Sequence, residues 1–257
     1  MAPIRKKARS DAPAIVVAPP TQPAAPPSSV FAPFRAMGTV CNDVPFDIQA
    51  LGSNHFMTTA VGNAFHVYNV DKFRLMIASG QTPEPITALG SFRETTYAAC
   101  RNVVHTFARG KLVGALASPD IDGAIFQLLV LGTVVLALSD DNRLTVWDAK
   151  SGEVTASLDF GPTFTASCFM HPHTYLNKVV IGSSQGSMQL WNVSSSKLIY
   201  EFAAVGSPVC TLAQSPVVDV VAIGLVDGHI HLHNLRLDER IASFHQDSRV
   251  TAISFRT

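Results

Sequence analysis

The chain predicts an all-β fold built from repeated four-stranded units, and two observations carry that prediction. Tyr68-Asn69, Trp147-Asp148, Trp191-Asn192 and His233-Asn234 are ring-plus-polar pairs separated by 79, 44 and 42 residues. The first gap is close to two periods, which places a weakened copy at Phe107-Ala108, 39 residues after Tyr68 and 40 before Trp147. The second observation concerns the positions three and one before each ring: Phe65 and Val67, Val104 and Thr106, Leu144 and Val146, Met188 and Leu190, Ile230 and Leu232. Nine of these ten are apolar, and spacing by two puts them on one face of a strand. The intervening His66, His105, Thr145, Gln189 and His231 face the other way. A beat of roughly 40 to 45 residues ending in Trp-Asp marks a blade of a WD-repeat β-propeller.

Within each period the elements read as strand, turn, strand, tight hairpin, strand ending in the ring, polar turn and outer strand. The hairpins are expected at Gly62-Asn63, Arg101-Asn102, Asp141-Asn142, Gln185-Gly186 and Asp227-Gly228, most of which suit a turn that needs positive φ. The polar turns follow the rings, as in Asp148-Ala149-Lys150-Ser151-Gly152 and Asn192 to Lys197. Five blades result, with expected limits of 44–76, 85–117, 124–158, 164–202 and 208–244. The apolar stretch Ala124 to Leu138 is 15 residues long and contains Gly132-Thr133. It is too short to span a membrane and reads as two buried strands bent at the glycine. Val250 to Phe255 reads as the first strand of a sixth blade. A propeller protects its sheet faces by closing a ring, so the chain is expected to be the N-terminal portion of something longer, an incomplete ring of five blades and one strand. An early strand at 34–40 is a candidate contributor to the closing blade.

Composition bounds the remaining readings. Lys plus Arg equals Asp plus Glu at 19 each, so no global positive field draws the chain to RNA or to an anionic membrane, and any RNA contact has to be local. Residues 1–30 hold seven of the 16 prolines beside the run Arg5-Lys6-Lys7-Ala8-Arg9. That segment is expected to be a disordered Pro/Ala-rich basic tail, with residues 31–257 forming the propeller. The four cysteines, Cys41, Cys100, Cys168 and Cys210, make no C-x-x-C pair, which argues for reduced thiols rather than a zinc knuckle. Cys168 and Cys210 each lie 23 residues before their blade's ring position, so counting predicts equivalent seats in consecutive blades.

No phosphate-binding glycine loop, nucleophile elbow or H-E-x-x-H helix is present in the sequence, and no catalytic residue or cofactor is assigned. His229, His231 and His233 are spaced by two, which lines three imidazoles along one strand face and makes them the sharpest metal candidate. The repeat register favours another account: His231 matches Thr145 and Gln189, and His233 stands where other blades have tryptophan. A structural substitution is therefore preferred and no metal is assigned. The Gly-His pair that in many WD blades precedes the inner strand and bonds a hairpin aspartate is missing, so Asp141 and Asp227 are expected to stabilise their own turns. A peptide- or modification-reading adaptor of chromatin or ubiquitin machinery would need an aromatic or acidic pocket at the channel mouth, and is the alternative function.

Four stretches carry a more specific resemblance: VFAPFRAMGTVCNDVPFDIQALG at 30–52, AVGNAFHVYNVDKFRL at 60–75, CFMHPHTYLNKVVIGSSQGSMQLWNVSSSKLIY at 168–200 and SPVVDVVAIGLVDGHIHLHNL at 215–235. Together they resemble the WD-repeat protein of the UTP-B subcomplex of the nucleolar small-subunit processome, a family of U-three snoRNA-associated propeller proteins. The resemblance implies tandem propellers followed by a helical domain, of which this chain covers most of the first propeller. It further implies a nuclear, nucleolar, non-catalytic scaffold for pre-rRNA processing and small ribosomal subunit biogenesis. Its partners would be other UTP-B subunits and processome proteins, with local pre-rRNA or snoRNA contacts and no membrane.

Overall fold

The computed structural model describes residues 40–41 and 43–255. The tail expected at 1–30 lies outside the described residues, as does the early strand expected at 34–40 apart from Val40, which is in no strand.

Twenty strands form five antiparallel sheets, each a four-stranded meander. Blade one holds β1 (Asp47–Leu51), β2 (Asn54–Val61), β3 (Ala64–Asn69) and β4 (Arg74–Ala78). Blade two holds β5 (Ala88–Phe92), β6 (Thr95–Cys100), β7 (Val103–Ala108) and β8 (Lys111–Ala117). Blade three holds β9 (Ile125–Leu131), β10 (Val134–Ser139), β11 (Arg143–Asp148) and β12 (Val154–Asp159). Blade four holds β13 (Ala166–Met170), β14 (Lys178–Ser183), β15 (Met188–Asn192) and β16 (Lys197–Phe202). Blade five holds β17 (Val209–Gln214), β18 (Val220–Leu225), β19 (His229–Asn234) and β20 (Glu239–His245). The expected blades are met to within three residues at every limit.

Each junction between successive blades has its own apolar core. Phe65 and Phe107 meet edge to face, with ring centroids 5.1 Å apart, between blades one and two. Trp147 packs with Tyr97, Val104 and Ile125 between blades two and three. Leu136, Leu144, Phe169 and Ile181 fill the next junction, and Val180, Met188, Phe202, Val221 and Ile223 the last. The second strands are accordingly buried on both faces, as in β18, where all six residues are buried. Gly182 and Gly224 let the inner strands approach: a Cβ on Gly182 would come within 2.6 Å of Val209. Val250 takes the same seat on blade five, since a Cβ on Gly224 would lie 2.7 Å from it. Val250 is buried and donates its amide to the Leu225 carbonyl at 3.3 Å, but residues 250–255 form no strand, so the first strand expected of a sixth blade is not formed: with no partner strand beyond it among the described residues, the segment has no ladder to join.

A β-bulge falls at the same step in all five blades, between Val67 and Tyr68, Thr106 and Phe107, Val146 and Trp147, Leu190 and Trp191, and Leu232 and His233. The extra residue in the outer pairing twists the third strand and re-aims its ring. The residue after the ring then caps the turn. Asp148 Oδ1 accepts the amides of Lys150 and Ser151, Asn192 Oδ1 those of Ser194 and Ser195, and Asn234 Oδ1 those of Arg236 and Leu237, all within 2.7–3.2 Å. Asn69 does the same for Lys72 at 2.9 Å. Blade two has Ala108 because its turn is only Arg109-Gly110, with φ of 48° and 80°, too short to need a side-chain acceptor.

The hairpins take positive φ at Gly62, Arg101, Asn142, Gly186 and Gly228, as their turn chemistry requires. They also hold the connectors that lead to the next blade. Asn142 Nδ2 donates to the Gly161 and Phe164 carbonyls and Asn142 Oδ1 accepts the Ala166 amide, each at 2.8 Å. The Asn142→Ala protein should be destabilised by about 2–4 kcal/mol, because three backbone groups lose partners and alanine tolerates the left-handed backbone poorly. Urea unfolding of the two proteins side by side measures this, and a difference below about 1 kcal/mol would contradict it.

Candidate functional site

The polar residues between the buried apolar pairs of the third strands do not face solvent. Blades are covered on both sides, so His66, Thr145, Gln189 and His231 are buried as well, and His105 is half-buried. Several bond a ring directly: Trp191 Nε1 donates to Gln189 Oε1 at 2.9 Å, and His66 Nδ1 lies 3.2 Å from the Tyr68 hydroxyl. The ring positions Tyr68, Phe107, Trp147, Trp191 and His233 occupy matching places in five blades, and only Tyr68 and Trp191 are more than marginally exposed. Trp147 is fully buried and points Nε1 at the Ala117 carbonyl, 3.4 Å away.

The histidine row is divided among separate partners. His229 Nδ1 lies 3.1 Å from Asp227 Oδ2, and its ring sits 4.6 Å from that of His245. His231 Nδ1 bonds the Ser243 hydroxyl at 3.0 Å. His233 packs edge to face on Phe202 of blade four, and its Nε2 lies 3.1 Å from Asp238 Oδ1, close enough for an ion pair but without hydrogen-bond angles. Asp238 Oδ2 in turn accepts the Tyr200 hydroxyl at 2.9 Å, which lifts the Tyr200 phenol above its ordinary value. His233 thus joins two blades as a tryptophan would. Among the described residues no group of three or more His, Cys, Asp or Glu side chains is arranged to hold a metal ion. Asp227 takes His229 as its partner, its carboxylate also accepting the His229 amide, while Asp141 accepts the Asp122 amide at 3.1 Å and the Ser139 hydroxyl.

The inner strands line a channel of about 380 Å³ bordered by Phe46, Asp47, Phe126, Cys168 and Thr211. Asp47 Oδ2 accepts the Ser91 amide at 2.6 Å, yet burial still raises its carboxyl above the usual range. Gln127 bridges two blades by pairing both amide atoms with the Phe169 backbone, at 2.7 and 3.0 Å. Burial pushes the Cys168 thiol up to about 12, which leaves it protonated and unreactive. The equivalence expected for Cys168 and Cys210 is overturned by the pairing. Cys168 is opposite Gly182, whereas Thr211 is opposite Gly224, and it is Ser167 and Cys210 that reach the next segment of chain, at the Val209 and Val250 carbonyls. The cross-strand pair Met170 and Val180 is separated by one residue more than the matching pair Ala213 and Ala222, so equal counts give different seats. All four cysteines are free thiols, with Cys100 and Cys168 buried and Cys41 and Cys210 partly exposed.

The meander sends its loops to two ends of the ring, and they differ in charge. At the end of the tight hairpins the segments between strands hold Glu84, Asp120, Asp122, Asp140, Asp141, Asp227 and Asp247 against Arg101 and Arg249. At the opposite end they hold Asp71, Glu94, Glu153, Asp219 and Asp238 against Lys72, Arg93, Arg109, Lys150 and Arg236. Among the residues that open or close strands at that second end are four further cations, Arg74, Lys111, Lys178 and Lys197, and two further acids, Asp148 and Glu239. The balanced total therefore hides one acidic rim and one mixed rim in which cations are in excess.

Repeated four-stranded blades, a bulged ring position in each and Asx-capped outer turns define a WD-repeat β-propeller. Residues 57–257 match the family model described as WDR36/Utp21 first beta-propeller, and the chain belongs to that family. Among curated proteins it is 40% identical over 235 residues to human WD repeat-containing protein 36, covering 90% of this chain and 26% of that protein. It is 35% identical to the U3 small nucleolar RNA-associated protein 21 homolog of Schizosaccharomyces pombe, with the same coverage of 90% and 26%. For U3 small nucleolar RNA-associated protein 21 of Saccharomyces cerevisiae the identity is 30%, over 90% of this chain and 25% of that protein. The chain therefore spans about a quarter of the length of these relatives. Among solved structures the computationally designed Ika8 protein superposes with a TM-score of 0.66 at 18% identity, over 82% of this chain and 64% of that one, a likeness of fold alone.

The buried histidines make stability depend on pH. Burial holds His231 below the ordinary histidine range, and it holds His233 there against the pull of Asp238. The unfolded chain takes up protons below about pH 6.5 that the folded ring resists, so stability is full above that value and declines as pH falls toward the folded ones. His231→Gln with His233→Trp, the residues of blade four, should remove this part of the decline. Urea midpoints of both proteins at about pH 7.5 and about pH 5.5 measure it, and an undiminished decline in the double variant would contradict the assignment.

Proposed function

We propose that this chain is the propeller part of a non-catalytic scaffold of the nucleolar small-subunit processome, supporting pre-rRNA processing and small ribosomal subunit biogenesis. The observation that carries the reading is the family match across residues 57–257, supported by two relatives whose names tie them to U3 small nucleolar RNA. The geometry suits docking. A ring of rigid blades presents ten sets of loops on two rims, and such an arrangement lets several partners bind one body at once. The ring positions from Tyr68 to Asn234 act in this reading as structural repeat residues, each engaged inside its own blade or with a neighbour. The partners are other UTP-B subunits and processome proteins, bound in the nucleolus, with RNA contacts confined to local surface.

Affinity capture of the full-length protein from nuclear extract should recover the other UTP-B subunits together with U3 small nucleolar RNA. Recovery of neither class would defeat the reading. The double variant Trp147→Ala and Trp191→Ala should lose that recovery along with the fold, because truncating a buried tryptophan costs about 3–5 kcal/mol.

A further inference from the structure

The last or next-to-last residue of each outer turn adopts the left-handed backbone: Phe73, Gly110, Gly152, Ser196 and Asp238 have φ between 47° and 80°. Glycine and aspartate are ordinary choices there, whereas a bulky side chain is uncommon, and Phe73 shares the conformation with Arg93, Arg101 and Arg109. Phe73 is also 80% exposed. One face of its ring stacks on Tyr68, with centroids 6.4 Å apart and an interplanar angle of 27°, and the other is open. Packing on Tyr68 alone does not require a ring left so bare, and backbone strain of this kind concentrates at functional positions.

The neighbours of Phe73 sharpen the chemistry. Lys72 and Arg74 flank it, both exposed and neither in an ion pair among the described residues. The adjoining acid, Asp71, is occupied by the His55 amide and imidazole at 3.2 and 3.4 Å. On the next blade, at the same end of the ring, Arg93 lies over the Phe92 ring at 5.2 Å, also with φ of 56° and no carboxylate partner, and Lys111 is exposed. Open aromatic faces set between unpaired cations are the means by which proteins hold single-stranded nucleic acid, the ring stacking on a base and the cations meeting phosphates. The hairpin end, with its excess of carboxylates, repels the same ligand.

We propose that the Lys72-Phe73-Arg74 turn of blade one is a single-stranded RNA contact. Phe73 is the stacking platform, and Lys72 and Arg74 hold the backbone. The proposal rests on the scaffold reading for its biological setting, but its test on the isolated chain does not.

The 257-residue chain is titrated with a fluorescently labelled single-stranded RNA oligonucleotide at several salt concentrations. Phe73→Gly should weaken binding about five- to hundred-fold while leaving the salt slope unchanged, since the stacking ring is removed and every cation stays in place. Lys72→Gln with Arg74→Gln should reduce the slope of log affinity against log salt by about 1.4, about 0.7 for each phosphate that is no longer neutralised. Phe73→Gly should melt no lower than the parent, because glycine relieves the left-handed backbone, so weaker binding by this variant is not a failure to fold. Both effects should persist when Arg5, Lys6, Lys7 and Arg9 are neutralised. Unchanged affinity and slope in the two variants, or no binding by the parent chain, would overturn the proposal and leave the scaffold reading standing. In full-length protein the variant that combines Lys72→Gln, Phe73→Gly and Arg74→Gln should recover the same protein partners with less crosslinked RNA. Loss of a protein partner with RNA retained would instead mark the turn as a protein-docking surface and overturn the proposal.

Discussion

No blade in this ring can bury its own faces. A four-stranded sheet whose second strand is apolar on both sides, as β18 is from Val220 to Leu225, needs a neighbour on each side before that surface leaves water. Burying a single Leu, Ile or Phe side chain contributes about 1.5–3 kcal/mol, and each junction holds nine or more buried residues. Packing between blades is therefore the term on which the bulges, the hairpin clamps and the polar bridges all depend. Glycine at 182 and 224 follows from it, since a methyl group there would push the next inner strand away. So does the seat of Val250, which covers blade five as Val209 covers blade four.

This constraint explains why the blades are legible in the sequence and some of their details are not. Apolar residues at Leu144 and Val146, or Met188 and Leu190, repeat because every blade must offer the same face to the next. The same pattern misplaces the polar residues between them: alternation ordinarily means one wet face, yet Gln189 and His231 lie on a second buried face and are tolerated because each has a partner. Blade two is the hardest to read. Its two-residue turn removes the need for an Asx cap, so Ala108 carries no signature. The inner-strand cysteines show the limit of counting, since one added residue between Met170 and Val180 slides Ser167 into the place that Cys210 takes in blade five.

The histidines of β19 illustrate how composition misleads when both strand faces are packed. Three imidazoles on one strand suggest a metal, but each is drawn to a different neighbour: His229 to the hairpin aspartate, His231 to the outer strand, His233 to the preceding blade. His233 does with an edge-on ring and a half-buried carboxylate what Trp147 does with a larger ring and one bond to the Ala117 carbonyl. The substitution exchanges apolar area for a polar contact, and the exchange carries a proton affinity with it. A tryptophan in the same seat would not respond to pH.

Net charge is equally opaque, because zero sets Arg5, Lys6, Lys7, Arg9 and Arg35, opposed before residue 40 only by Asp11, against a ring with more acids than cations, whose two rims the meander keeps apart. An antiparallel blade sends its hairpins and connectors to one end and its remaining turns to the other, so charges distant in sequence accumulate on one rim. Structural demands bias the first rim toward acids: the hairpin carboxylates accept backbone amides, as Asp141 does from Asp122 and Asp227 does from His229. With that rim engaged by its own backbone, cations are in excess at the opposite end, where the outer turns are capped by Asn69, Asp148, Asn192 and Asn234 and their tips are free to vary. A phenylalanine in a left-handed position at such a tip is not required by any blade. Selection for a ligand at the turn end is the physical reason that accounts for its strain, its exposure and its flanking cations together.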